Sequence, residues 1–164
     1  MPPPPHPDWP RYCRRPFPAY SYVPGTDPHP RRDPKGYAYG QREVPPPLLT
    51  PDNWCTHDEY LHGIDLYNFA YWWACHESLE GCWHVAGHAT TTGQFLQGII
   101  QVAAGNLKKF MRVDEGAQRL RSEGLARLAA IPDTYCGVDV RAFERDVRGD
   151  APALIRLVGV DPLK

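Results

Sequence analysis

Apolar residues between Gln94 and Met111 recur with the period of an α-helix. Phe95, Leu96, Ile99, Ile100, Val102, Ala103 and Leu107 form one face, and Gln94, Gln97, Gln101 and Lys108 form a polar stripe. Tyr71 to Val85 predicts a second helix of about four turns. On it Trp72, Trp73, His76, Glu77, Glu80, Trp83 and His84 fall within an arc of about 140°. The other side holds Tyr71, Ala74, Cys75, Ser78, Leu79, Gly81, Cys82 and Val85, mostly small or apolar, so a neighbouring helix can approach. With no Lys or Arg in the stretch, this helix reads as central and enclosed, with its carboxylates buried.

A preceding helix is expected from Pro51-Asp52, capped by Thr50, or from a second start at Thr56, running to Tyr67 or Asn68. It places Asp58, Leu61, His62 and Asp65 on one side. A fourth helix spans Asp114 to Ile131 and stops at Pro132-Asp133. Asp139 caps a short fifth that runs to about Arg148. Ala153 to Val160 is apolar but brief, and strand and extended coil both fit. No longer β alternation is visible, so the expected class is all-α, a compact bundle of about five helices. Most of the 19 prolines lie at or before Pro47. Residues 1–47 therefore predict a non-helical arm rich in Pro, Tyr and Arg, and residues 48–164 the helical domain. The tyrosines of the arm call for docking on the bundle, since disordered chains are poor in aromatics.

Charge sharpens the picture. Residues 1–42 carry +4, residues 43–107 carry −7 with no Lys or Arg, and residues 108–164 carry +2. The acidic middle also holds His57, His62, His76, His84 and His88. Either arginines from the chain ends fold over this middle, or a cation sits there. A net charge of −1 gives no argument for nucleic acid, and no apolar run would span a membrane. The first residues lack the apolar core of a signal peptide. The five cysteines include no CxxC pair, and Cys75 and Cys82 lie about 10 Å apart along one helix, too far to bridge. Reduced thiols in a cytoplasmic protein are expected.

The motif HESLE differs from the HExxH of zinc proteases by Glu80 in place of the second histidine. His76 and Glu80, four apart, could still ligate one ion, and Glu80 and His84 repeat the spacing. With a second ligand set of Asp58, His62 and Asp65 from the preceding helix, the mixed N/O ligands would suit Zn, Mn or Fe. An enzyme reading follows: a metal-dependent hydrolase with His76, Glu80 and His84 or His62 as ligands and Glu77 as general base. The competing reading is a hydrogen-bonded core, or a small-ligand or partner site, built from Asn68, Trp72, His76, Glu77, Glu80, Trp83, Gln97 and Gln101. In it the polar stripes of the first three helices face one another. Gln97 and Gln101 then reach His76 and Glu80, and removing Glu80 strongly destabilises the fold. Cys75 and Cys82 read as buried, inert thiols. The partner would be an unidentified small molecule or protein; a homo-oligomer stays open.

Leu66-Tyr67-Asn68, His76-Glu77, Glu80 and Trp83, with the run Phe95 to Ala104 and Gly116-Ala117-x-Arg119-Leu120, resemble the family called domain of unknown function 309. Its hallmark is Phe-Asn followed by HExxExxW on a helix, and the resemblance covers roughly residues 60–148. The arm sequence from Tyr22 to Gly36 is similar to an extension found in one branch of that family. There the continuation reads Gly-His-Ser-Tyr-Gly; this chain has Gly36-Tyr37-Ala38-Tyr39-Gly40, without the histidine. The resemblance implies a compact helical bundle and no assigned activity.

Overall fold

The computed structural model describes residues 1–149 and 152–164. Five α-helices follow the arm: α1 (Asp58–Asn68), α2 (Trp72–Ala86), α3 (Thr91–Phe110), α4 (Asp114–Leu128) and α5 (Val140–Arg148). Between α4 and α5 lies a small antiparallel hairpin, β1 (Thr134–Tyr135) and β2 (Val138–Asp139). The fold is the expected helical bundle. The hairpin was not anticipated, because two-residue strands show no alternation to read. Its turn depends on Cys136 and Gly137, both with positive φ. Gly137 also lies against the Trp54 ring, where a Cβ would clash.

α1 starts later than Thr50 or Thr56 would allow. Side chains of Thr50 and Asn53 hold the backbone in turns, and Trp54–Thr56 makes one 3-10 turn. The cap is His57, whose Nδ1 accepts the Tyr60 N–H at 3.2 Å while Nε2 donates to the Pro47 carbonyl at 2.8 Å. One buried imidazole thus ties the end of the arm to the first turn of the bundle. Thr90 caps α3 and Asp139 caps α5, each accepting a backbone N–H three residues on.

α3 and α4 form an antiparallel hairpin closed by Met111–Val113. They meet through glycines: a Cβ on Gly124 would lie 2.8 Å from the Gly98 carbonyl oxygen, and one on Gly98 would lie 2.7 Å from Leu128 Cγ. α2 packs on α1 and α3 through Cys75, Leu79 and Cys82, all fully buried. The core continues through Tyr60, Ile64, Tyr67, Phe95, Leu96, Ile99 and Leu128.

The C-terminal segment is extended. Leu157 bridges to Val138, and the Val158 N–H donates to the Gly137 carbonyl at 2.8 Å. Asn68 clamps this segment from the end of α1. Its Nδ2 donates to the Ile155 carbonyl and its Oδ1 accepts the Ile155 N–H, both at 2.8 Å. The Tyr67 hydroxyl donates to the Ala153 carbonyl at 3.0 Å.

The arm lies along α1, α2 and this C-terminal segment. Tyr12, Cys13, Tyr22 and Val23 are buried. The Trp9 indole N–H donates to the Ile155 carbonyl, the Tyr12 hydroxyl accepts the Leu157 N–H, and the Arg11 carbonyl accepts the Leu163 N–H. Phe17 stacks on Tyr71 with ring centroids 4.9 Å apart, and the Arg11 guanidinium covers its other side at 4.1 Å.

Candidate functional site

The acidic middle of the chain is met by arginines of the arm. Asp65, without solvent exposure, accepts the backbone N–H groups of Tyr12 and Cys13 at 2.9 Å and the Arg11 guanidinium at 3.3 Å. Burial pushes its carboxyl up, and those N–H groups pull it back down. Arg15 reaches Glu59 at 2.5 Å and Asp58 at 3.5 Å. Glu59 also accepts the Ser78 hydroxyl of α2 at 2.5 Å. His62 sits beside this group, 6% exposed, with Nδ1 lacking a hydrogen-bond partner among the described residues. Burial, and then the nearby Arg15, push its pKa down to about 4, so it stays neutral.

α2 turns its small, apolar side inward and its His/Glu/Trp arc outward, under partial cover from the arm. The arc is therefore half-open instead of enclosed. The side chains of His76, Glu80 and His84 are 34%, 39% and 59% exposed. The absence of Lys and Arg had suggested burial. The inward side is set instead by the fully buried Cys75, Leu79 and Cys82, with Leu79 fitted closely against Gly63 of α1. Glu77 lies 3.4 Å from the Arg31 guanidinium, which also reaches Glu43 at 3.1 Å. Trp73 meets Tyr22, His29 and His76 edge-on. The Tyr37 hydroxyl is buried without a partner among the described residues, and its pKa is raised by burial and by the nearby Glu77 charge.

Along the open side runs a row of four groups. His76 Nε2 stands 3.6 Å from one Glu80 oxygen, and His84 Nε2 stands 3.8 Å from the other. His84 Nδ1 is 3.2 Å from His88 Nε2, and the His88 ring stacks on Trp83 at 3.6 Å, tilted by 10°. His88 follows the end of α2, where Gly87 breaks the helix with φ of 89°. Its place in the row was hidden by that break, although the spacing 76, 80, 84, 88 was there to read.

The other expected members lie elsewhere. His62 belongs to the α1–arm group and does not join His76, Glu80 and His84. Asn68 holds the C-terminal segment. Gln101 is buried against α4, accepting from Arg127 at 2.9 Å and donating to Glu123 at 3.2 Å. Gln97 is half-buried, and among the described residues neither glutamine hydrogen-bonds His76 or Glu80. The polar stripe of α3 thus serves α4, because the α3–α4 hairpin brings Arg127 across it. Trp72 lines a separate groove beside α3. Among the described residues no group of three His, Cys, Asp or Glu side chains is placed to hold a metal ion. Cys75 and Cys82 are buried, which raises both thiols, Cys82 to about 12. Neither is a thiolate nucleophile near neutral pH.

The model of the family described as Domain of unknown function (DUF309) matches residues 60–120. Residues 60–120 are thus similar to that family. The DUF309 stretch takes in nearly all of α1, the whole of α2 and α3, and α4 as far as Leu120. The row on α2, Asp65, Asn68 and Gln101 all fall inside it. The arm, the hairpin, α5 and the C-terminal segment lie outside it. No curated protein matches the chain. No helix among the described residues is long and apolar enough to cross a membrane.

Proposed function

We propose that this chain is a non-catalytic binding module of the cytoplasm, and that the outer side of α2 receives a small polar ligand or a partner surface. The observation that carries this reading is the half-open row His76–Glu80–His84–His88 beside Trp83. It offers imidazole and carboxylate groups to hydrogen bonds beside an indole on which His88 is already stacked, and sites of this kind suit polar ligands. The indole N–H of Trp83 is buried without a partner among the described residues. The arm supports the same reading: it neutralises Asp58, Glu59, Asp65 and Glu77 and leaves Glu80 to the histidines. The free cysteines fit a reducing compartment.

A metal-dependent reading keeps one specific support. Two imidazole nitrogens 3.2 Å apart, at His84 and His88, match the roughly 3.3 Å between neighbouring ligands of a tetrahedral ion with bonds of about 2.0–2.1 Å. A hydrolase of this kind would need Glu80 as a further ligand and Glu77 as base, yet Glu80 faces Nε2 of His84, the ring nitrogen turned away from His88. Glu77, however, already faces Arg31.

The test is thermal melting of Glu80→Ala and of the double variant His84→Ala/His88→Ala, with and without zinc. A binding face leaves both variants within about 1 kcal/mol of the unchanged protein, because exposed ion pairs contribute little. A loss several times larger returns the row to a structural role. A zinc-dependent gain in Tm that disappears in the double variant places an ion on the face.

A further inference from the structure

The Trp72 groove stands apart from the row on α2, and nothing in the proposed function uses it. It has a volume of about 480 Å3 and lies where the start of α2 meets the end of α3, with α4, α5 and the C-terminal segment around it. That size falls within the range of small-molecule sites, about 300–1,000 Å3. Pro3, Pro4 and Pro5 form one wall. A proline wall has no N–H groups, so it offers a ligand apolar surface and no donors. Trp72, Phe110 and Val147 extend the apolar surface. Phe110 is 42% exposed, a large aromatic left against water at the mouth of a concave site.

Two cations line the same groove, Lys109 and Arg121. They are neighbours by helix geometry. The Arg121 side chain crosses α3 at Gly105, where a Cβ would come within 2.7 Å of its Cγ. Lys109 lies four residues further along the same stripe of α3. Arg121 Nη2 donates to the Val147 carbonyl, which fixes the guanidinium on the wall. Among the described residues neither cation pairs with a carboxylate, whereas Arg11, Arg15 and Arg31 of the arm each do.

We infer that this groove binds a single-chain anionic amphiphile, its apolar body against Trp72, Phe110 and the proline wall and its head group at Lys109 and Arg121. A carboxylate and a phosphate monoester share the required chemistry. A basic pair beside an apolar trough rejects cationic amphiphiles and has little hold on neutral ones.

The experiment is calorimetric titration of the full chain with decanoate, decyl phosphate, decanol and decylamine, each below the concentration at which it forms micelles. Saturable binding of one or both anions is expected, with decanol and decylamine weaker by at least about tenfold, the worth of one charge-assisted hydrogen bond. Whichever anion binds more tightly names the head group. Lys109→Glu and Phe110→Ser change exposed positions and should leave Tm in place while weakening the anion by about tenfold or more. Trp72→Phe should remove the ligand-induced change in tryptophan emission. The inference is overturned by no saturable binding of either anion, by decanol binding as tightly as decanoate, or by affinity unchanged in a folded Lys109→Glu variant. Melting of the α2 row variants is read independently, so failure here leaves that reading standing.

Discussion

His62 shows how a single buried side chain can dominate a pH response. In the unfolded chain it takes a proton near its ordinary value of 6.5, and in the folded chain only at about 4. Between those values the unfolded state binds more protons, so stability is complete above the window and falls as pH drops through it. The loss is on the order of 3 kcal/mol by pH 4. His62→Phe keeps a flat ring and removes both nitrogens, of which Nδ1 has no partner among the described residues. The variant should flatten the stability curve between pH 6.5 and 4 and stay within about 1.5 kcal/mol of the unchanged protein at neutral pH. Urea denaturation at a series of pH values measures both, and an unchanged slope in His62→Phe would exclude the assignment. At this scale the sequence was legible in part. The −7 segment between two positive ends pointed to arginines folding over it, and Arg11, Arg15 and Arg31 do so. Helical spacing placed His76, Glu80 and His84 on one line. It could not say whether that line faced inward, because angular position along a helix carries no information about which side meets the core. The lack of Lys and Arg was a misleading substitute. Trp73 there is shielded by Tyr22 and His29 of the arm, which periodicity within the helix cannot reveal.

Among the elements, the α3–α4 hairpin depends on closeness. Alanine is the better helix former, by up to about 1 kcal/mol per residue over glycine. At Gly124 that gain is outweighed, since the new Cβ would stand 2.8 Å from a backbone oxygen that cannot rotate away. Gly124→Ala should cost about 1–3 kcal/mol net, as an overpacked interior does, and a Tm at or above that of the unchanged protein would show that the helices can part without penalty. Helices α2 and α3 were readable from their long stripes and α5 from its Asp139 cap, but α3 begins at Thr91, before the expected Gln94, under an unread Thr90 cap. α1 was not placed as well: Thr50 and Pro51 are a plausible helix start, yet Thr50 caps a turn, and the true cap is a histidine, a residue seldom used that way. The hairpin before α5 was silent for another reason. Its pairing is completed by Leu157 and Val158, some 20 residues later in sequence, so no local pattern announces it.

For the molecule as a whole, arm and bundle behave as one object. Arg31 and Arg32 sit in turns whose N–H groups bond the His29 ring, and Arg31 is further held by Glu43 and Glu77. Limited trypsin digestion should therefore spare this region until the bundle itself unfolds, and early cleavage at Arg31-Arg32 would show the arm to be detachable. The double hydrogen bond between Asn68 and Ile155 has a consequence in time. The two residues are 87 positions apart, so a ribosome adding roughly 5–20 residues per second needs about 4–17 s to pass from one to the other. Throughout that interval the amide of Asn68 lacks its Ile155 partners, and the hydroxyl of Tyr67 lacks the Ala153 carbonyl. On a translating ribosome, the DUF309 stretch is thus finished first and sealed last, by a segment that the family match does not include.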